Sequence, residues 1–402
     1  MGRLGTGFGL GRRRRVGPLP AVPAAPTPPQ GFALNGSGNP ALRAMLARVR
    51  GGTGRGRIVF KGDSTSAGAG AGGRGGVVAQ LTDARRGRPS AALAARLTAA
   101  GVPALDNGFV GDGGCTAFGV ALPAYDPRVA LSGIGPSGGQ RFPGGGYLFS
   151  DGGDHAEFTL PAADTFEIVA YNVGGACAVA IDGAAPATLI APGAAVSGNV
   201  VTIPNTSNGF TRITAAAATA GTRTVRVATT GTTLLRSIMG YDGRARAVDI
   251  LNHASCGASS GDQAAAGNGW SNLDALGHDA PDLTIINVGL NDAGAANTPV
   301  AAYTANLQAL ITKAWLSGDV LLVSPNAANP QTFATAERQA ALRDAAASVA
   351  ASNGVAFMDL RAYFGPWSTF AARTADDTVH PDAAAYAEMG EVYRRCIGAM
   401  SA

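Results

Sequence analysis

Charge is scarce in this 402-residue chain: Asp, Glu, Lys and Arg together make up 14% of it, against 46% hydrophobic residues. So little charge excludes a solvated, disordered polypeptide, and the length allows two or three domains, each with its own core. No run approaches 18 apolar residues, so no membrane-spanning helix is expected. The four cysteines, Cys115, Cys177, Cys256 and Cys396, lie far apart without C-x-x-C spacing. That argues against a zinc site and leaves their disulfide state open. Lysine is nearly missing, with Lys61 and Lys313 alone. Histidine is also rare, and any imidazole chemistry must use His155, His253, His278 or His380. A Gly-Lys-Ser/Thr phosphate loop is absent altogether.

The formal net charge of +4 is an effect of the N-terminus. Residues 1–40 carry Arg3 and Arg12 to Arg15 and no acid, which leaves 26 basic against 27 acidic residues in 41–402, a net −1. No specific nucleic-acid partner is expected. The Pro/Gly/Arg composition of 1–40 reads as a flexible leader. MGRLGTGFGLGRRRRVGPLP sets its arginines after a mildly apolar stretch and builds no continuous h-region, so it does not read as a secretory signal. Extracytoplasmic and phage-particle locations both stay open, as does the oligomeric state.

Two kinds of pattern follow. In 41–119 and 244–402, apolar strands (RIVF, AVDILNHA, PDLTIINVG, DVLLVSP, VAFMDL) alternate with helical segments such as PSAALAARLTAAG and VAAYTANLQALITKAWLSG. Continuous apolar strands between helices indicate a parallel sheet covered on both faces. Between 120 and 243 the helical spacing vanishes and short Thr/Val/Ile-rich runs (FEIVAYNV, CAVAIDG, TRTVRVATTG) alternate with turns, which predicts an inserted antiparallel β-sandwich.

In open parallel sheets chemistry gathers where strands end. Gly62-Asp63-Ser64 follows RIVF, Ser255-Cys256-Gly257 follows AVDILNHA, and Gly289-Leu290-Asn291-Asp292 follows LTIIN. A serine nucleophile needs a base, commonly a histidine held by a carboxylate. Only His380 has a carboxylate, Asp377, three positions earlier on a loop before a helix. An oxyanion needs N–H donors: Gly257 lets its backbone approach, and Asn291 brings an amide. The glycines Gly70, Gly72 and Gly75 form a G-x-G-x-x-G, but they begin ten residues after Phe60 and not at the strand end, which argues against a dinucleotide site. Asp151 to His155 has no further ligands at fixed spacing and reads as a solvated turn. His253 reads as a structural histidine or a cleft residue, and Trp270 and Trp367 as loop aromatics within reach of an acyl group or sugar. The small residues around Ser64 are expected to leave an open cleft, suited to a short acyl group on a large alcohol.

These four blocks, in this order, resemble the SGNH (GDSL-type) hydrolases, with Ser64, Gly257, Asn291 and His380 matching the four residues that name the family. Thr65 departs from the usual residue after Gly-Asp-Ser, and the β-rich insertion separates the first two blocks. The resemblance implies a flavodoxin-like three-layer α/β/α sandwich and ester hydrolysis through an acyl-enzyme, without metal or cofactor. By the same resemblance Ser64, Asp377 and His380 form the triad, and Ser64, Gly257 and Asn291 the oxyanion hole. Some family members acting on acylated glycans carry a carbohydrate-binding-like sandwich at the insertion point. The expected substrate is therefore a small-molecule or polysaccharide ester, first an acetylated carbohydrate. The alternatives are lipid or thioester hydrolysis, or a glycan-binding or virion module with little catalysis.

Overall fold

The computed structural model describes residues 27–36, 38–111, 118–267, 269–376 and 378–402. Seven strands form a sheet in the spatial order Phe32–Ala33, Ala356–Asp359, Asp319–Ser324, Leu283–Asn287, Gly56–Gly62, Val248–Asn252 and Ala104–Leu105. All pairings are parallel except the first, where Phe32 and Ala33 run against Met358 and Phe357. The tail of the expected leader therefore joins the sheet edge, where Phe32 is half-buried and Asn35 donates to the Val355 carbonyl at 2.9 Å.

Side chains alternate across a strand, and the sheet buries both faces in this way. Ile58 and Phe60 lie in one buried cluster with the helices Pro40–Arg50, Pro89–Ala99 and Ala383–Ser401. Val59 lies in the opposite one, with Val300–Ala314 and Ala336–Asn353. The result is the expected three-layer α/β/α arrangement. Local signals set the helix limits: the Thr335 side chain accepts the Arg338 N–H, and Gly354, at φ +65°, ends the same helix. No helix among the described residues is long and apolar enough to cross a membrane.

The β-rich segment forms an eleven-stranded sheet whose pairings are antiparallel. It begins earlier than residue 120, because Phe109 and Val110 already pair with Ile238 and Ser237. Its two long strands, His155–Val173 and Asn205–Thr230, pair with each other along most of their length but shift register around Gly221. On one side of that break stand Phe158, Leu160, Val225 and Val227, and on the other Phe166, Ile168, Ile213 and Ala215. All eight belong to a single buried cluster. The two halves of the sheet thus share strands as well as a core. Cys177, Cys256 and Cys396 are buried thiols with no disulfide among the described residues, and Cys115 lies outside those residues.

Charge, so scarce overall, is concentrated where the two sheets meet. Arg236, on the antiparallel strand Thr233–Tyr241, is fully buried, and its guanidinium forks onto Asp279 at 2.7 and 3.1 Å. His253 Nε2 lies 2.9 Å from the same carboxylate. Burial works against the charge on Asp279, but Arg236 and His253 outweigh it and hold this carboxyl well below its usual range. Burial also pushes His253 down to about 3, so this ring is a neutral part of the interface and not a cleft residue. Removing one partner of such a pair strands the other charge. Arg236→Ala should therefore lower stability by about 3–5 kcal/mol in denaturant unfolding, and a loss under 1 kcal/mol would show that water reaches Asp279.

Candidate active site

Gly56–Gly62 lies where the sheet order reverses: the chain leaves it for Ala104–Leu105 and Val248–Asn252 on one side, then crosses to Leu283–Asn287 on its other side and continues outward to Asp319–Ser324. The crevice at the C-terminal ends of such strands is where α/β sheets place their ligands. Asp63 turns the chain there and caps a single helical turn, Ser64–Ala67, by accepting from the Thr65 N–H at 2.9 Å and the Thr65 hydroxyl at 2.8 Å. Ser64 is thereby the first residue past the strand-end turn, half-buried, with its hydroxyl at the mouth of the crevice.

The glycine-rich stretch behind Ser64 does not form a cleft wall. Thr65 to Gly70 are all buried. Gly70, at φ +100°, lies so close to the His380 loop that a methyl group on it would stand 2.3 Å from the Pro381 carbonyl oxygen and 3.2 Å from His380 Cβ. This corrects the expectation of an open cleft made by small residues: their smallness lets the histidine loop press against the nucleophile's turn.

His380 Nε2 stands 2.8 Å from Ser64 Oγ, and His380 Nδ1 stands 2.5 Å from Asp376 Oδ2. An ionised carboxylate only accepts, so Nδ1 carries the proton and Nε2 is left to accept from the serine hydroxyl. Sequence reasoning assigned the carboxylate to Asp377, which lies outside the described residues. The carboxylate observed on the ring is its neighbour Asp376. The reason is local: Asp376 Oδ1 accepts the N–H groups of Thr378, Val379 and His380 at 3.0–3.1 Å, which folds the loop back and aims Oδ2 at the ring. Burial raises the Asp376 pKa, yet the His380 hydrogen bond and charge, with the Val379 N–H, more than offset it and hold the carboxyl far below its usual range. Asn326 braces the same loop by donating to the Val379 carbonyl at 3.0 Å. No spacing rule marks Asn326 in the sequence.

The loop after Val248–Asn252 is tied to the nucleophile's strand by Ser255 N–H, which donates to the Gly62 carbonyl at 3.1 Å. Gly257 follows at φ +80° and is exposed. Asn291 begins from the neighbouring strand end and donates to the Ala258 carbonyl at 3.0 Å, so the two sequence-predicted donors sit on one linked pair of loops. Asp292 closes the linkage by accepting from Ser260 N–H at 2.8 Å and Ser260 Oγ at 2.6 Å. The remaining candidates are elsewhere: His253 is at the buried interface, His155 lies 4.0 Å from Glu157, and Trp270 packs edge-on against Tyr171 at 5.7 Å. Among the described residues no group of three or more His, Cys, Asp or Glu is placed to hold a metal ion.

Asp63, next to Ser64 in the chain, is perturbed in the opposite direction from Asp376. Its Oδ2 has no hydrogen-bond partner among the described residues, and burial raises its pKa to about 6 despite the two Thr65 bonds. A carboxyl raised in the folded state contributes stability below its unfolded pKa, about 4, and loses it as pH climbs through about 6. Asp63→Asn keeps a capping acceptor and removes that titration, so its stability should decline less than the wild type's between about pH 4 and pH 6. Equal slopes in urea unfolding across that window would show that Asp63 does not titrate there.

Residues 193–388 match the model of the GDSL-like Lipase/Acylhydrolase family. The match holds the segments of Gly257, Asn291 and His380 and starts after Ser64, which the fold returns to His380 across the insertion. Among solved structures the chain is similar to a peptidoglycan O-acetylesterase, with 15% identity and a TM-score of 0.61 over 90% of this chain and 97% of that one. Lower scores relate it to a lipase/acylhydrolase from Enterococcus faecalis (22% identity, TM-score 0.32, 38% of this chain and 77% of that one). A family two carbohydrate esterase from Cellvibrio japonicus also matches (12%, 0.30, 68% and 96%). No curated protein matches the sequence. The α/β layers and the strand-end blocks agree with the match of residues 193–388 to the GDSL-like Lipase/Acylhydrolase model, and the chain is a carboxylic ester hydrolase.

Proposed function

We propose that the chain removes short acyl groups, acetyl first, from a carbohydrate, with Ser64 as the nucleophile. The observation that carries the serine mechanism is the continuous chain from Ser64 Oγ through the His380 ring to Asp376. Ser64 Oγ attacks the ester carbonyl carbon while His380 Nε2 takes the hydroxyl proton. Asp376 fixes the tautomer and stabilises the imidazolium that forms. The negative charge on the former carbonyl oxygen is met by the Ser64 and Gly257 N–H groups and the Asn291 amide. Collapse breaks the bond to the alcohol, which leaves with the proton from His380. Water then gives a proton to His380, attacks the acyl-enzyme and frees the acid, and the proton returns to Ser64.

The substrate reading is supported by the likeness to a peptidoglycan O-acetylesterase, which extends over 90% of the chain and so includes the β-rich insertion along with the α/β layers. It is tested by p-nitrophenyl esters from acetyl to octanoyl, followed by acetate release from acetylated xylan and O-acetylated peptidoglycan. We expect kcat/KM to fall as the acyl group lengthens and at least one glycan to release acetate. A preference for the longest acyl group, or no acetate from any glycan, would move the reading to a lipid or thioester substrate.

A further inference from the structure

A loop of the antiparallel sheet, residues 138–146, between its strands Gly135–Ser137 and Tyr147–Ser150, reaches the site. This loop is fastened to the α/β layers by backbone and side-chain bonds. Gly144 N–H donates to the His253 carbonyl at 3.0 Å, Asn272 N–H to the Arg141 carbonyl at 3.0 Å, and Asn272 Nδ2 to the Gln140 carbonyl at 2.7 Å. Asn272 is itself fully buried and receives Lys61 Nζ at 2.6 Å on its carbonyl and 3.2 Å on its side-chain oxygen. Lys61 stands three residues before Ser64. The backbone of Gln140 is thus held in register with the strand that carries the nucleophile.

From that fixed backbone the Gln140 side chain reaches the second oxyanion block. A methyl group placed on Gly257 would stand 3.3 Å from Gln140 Nε2, and beyond Gly257 and its two chain neighbours no other heavy atom of the described residues would come within 4 Å of it. Gly257 is exposed and Gln140 half-buried, and the Gln140 amide makes no hydrogen bond to any described residue. An amide offers two N–H donors and a carbonyl acceptor, and this one presents them to the space beside the oxyanion glycine. A sugar hydroxyl both donates and accepts, and so matches an amide; an acyl methyl does neither. Phe142, two residues further along the loop, packs edge-on against Tyr147 at 5.1 Å, and both rings are half-buried.

We propose that Gln140 determines specificity for the alcohol half of the ester: its side-chain amide hydrogen-bonds a hydroxyl of the sugar that bears the acyl group. This assignment rests on the carbohydrate reading above. It makes the inserted sheet a contributor to the catalytic cleft itself.

The experiment compares kcat/KM for an acetylated saccharide, O-acetylated peptidoglycan fragments or acetylated xylo-oligosaccharide, with kcat/KM for p-nitrophenyl acetate in wild type, Gln140→Ala and Gln140→Met. One neutral hydrogen bond corresponds to roughly a three- to tenfold change. Both variants should lower the saccharide-to-aryl ratio by that factor, and Gln140→Met, which keeps the side chain's length, separates lost hydrogen bonding from lost packing. An unchanged ratio in both variants overturns the assignment, whether or not the absolute rates fall together. A wild type that releases no acetate from any saccharide overturns the carbohydrate reading and this assignment with it. A wild type active on saccharides with an unchanged variant ratio removes Gln140 alone.

Discussion

Ser64→Ala should abolish hydrolysis of p-nitrophenyl acetate, with kcat reduced by about a millionfold. The size of the effect follows from the arrangement. Without Oγ, His380 has no hydroxyl to deprotonate, no acyl-enzyme forms, and what remains is binding and oxyanion stabilisation of direct attack by water. The fold should be indifferent to the change: Ser64 is half-buried, and its backbone, which receives the Gly68 and Ala69 N–H groups at 3.0 and 2.9 Å, is the same for alanine. Residual turnover within tenfold of wild type, on protein with an unaltered melting curve, would mean that another nucleophile acts and would remove the mechanism proposed for Ser64.

Asp376→Asn carries the second large effect, a loss of roughly ten-thousandfold in kcat. An amide facing Nδ1 can present N–H where the carboxylate presented an acceptor, so the ring settles in the tautomer whose Nε2 is protonated and cannot take the Ser64 proton. The same change at Asp377 should leave kcat within the same order of magnitude. The reverse ranking would assign the role to Asp377, the residue three positions before the histidine. Because His380 holds the Asp376 carboxyl far below its usual range, this group stays ionised across mildly acidic conditions. An acidic fall in rate therefore should not follow Asp376 protonation, and Asp376→Asn should lower the rate throughout the pH–rate profile.

That one-residue difference marks the limit of what the sequence holds. Apolar runs bounded by turn residues announced the parallel strands, and helical spacing in PSAALAARLTAAG announced the helix observed at Pro89–Ala99. Ser64, His380 and Asn291 were legible because each stands where such a run stops. The sequence DDTVH offers two adjacent carboxylates, and choosing between them depends on which one bends the loop. In the structure that is Asp376, with three N–H groups on one oxygen. The glycine run was open to misreading for a similar reason: glycine permits both an open space and a tight approach, and only the His380 loop lying on Gly70 decides which. Gln140 had no sequence signal at all. It lies 117 positions before Gly257 in the chain and meets it only because the 138–146 loop is bonded to Asn272.

The buried fork between Arg236 and Asp279 has a consequence for any attempt to divide the chain. Cutting out the inserted sheet and rejoining 119 to 244 would leave Asp279 facing neutral His253 in a seam no longer covered, with its cation gone. A trimmed hydrolase would then have to take up a proton at Asp279, or admit water beside Lys61 and the strand that ends in Ser64. Exchanging the insertion for one from another hydrolase would meet the same demand, because the incoming sheet must supply an arginine at that one place before it can supply a new specificity.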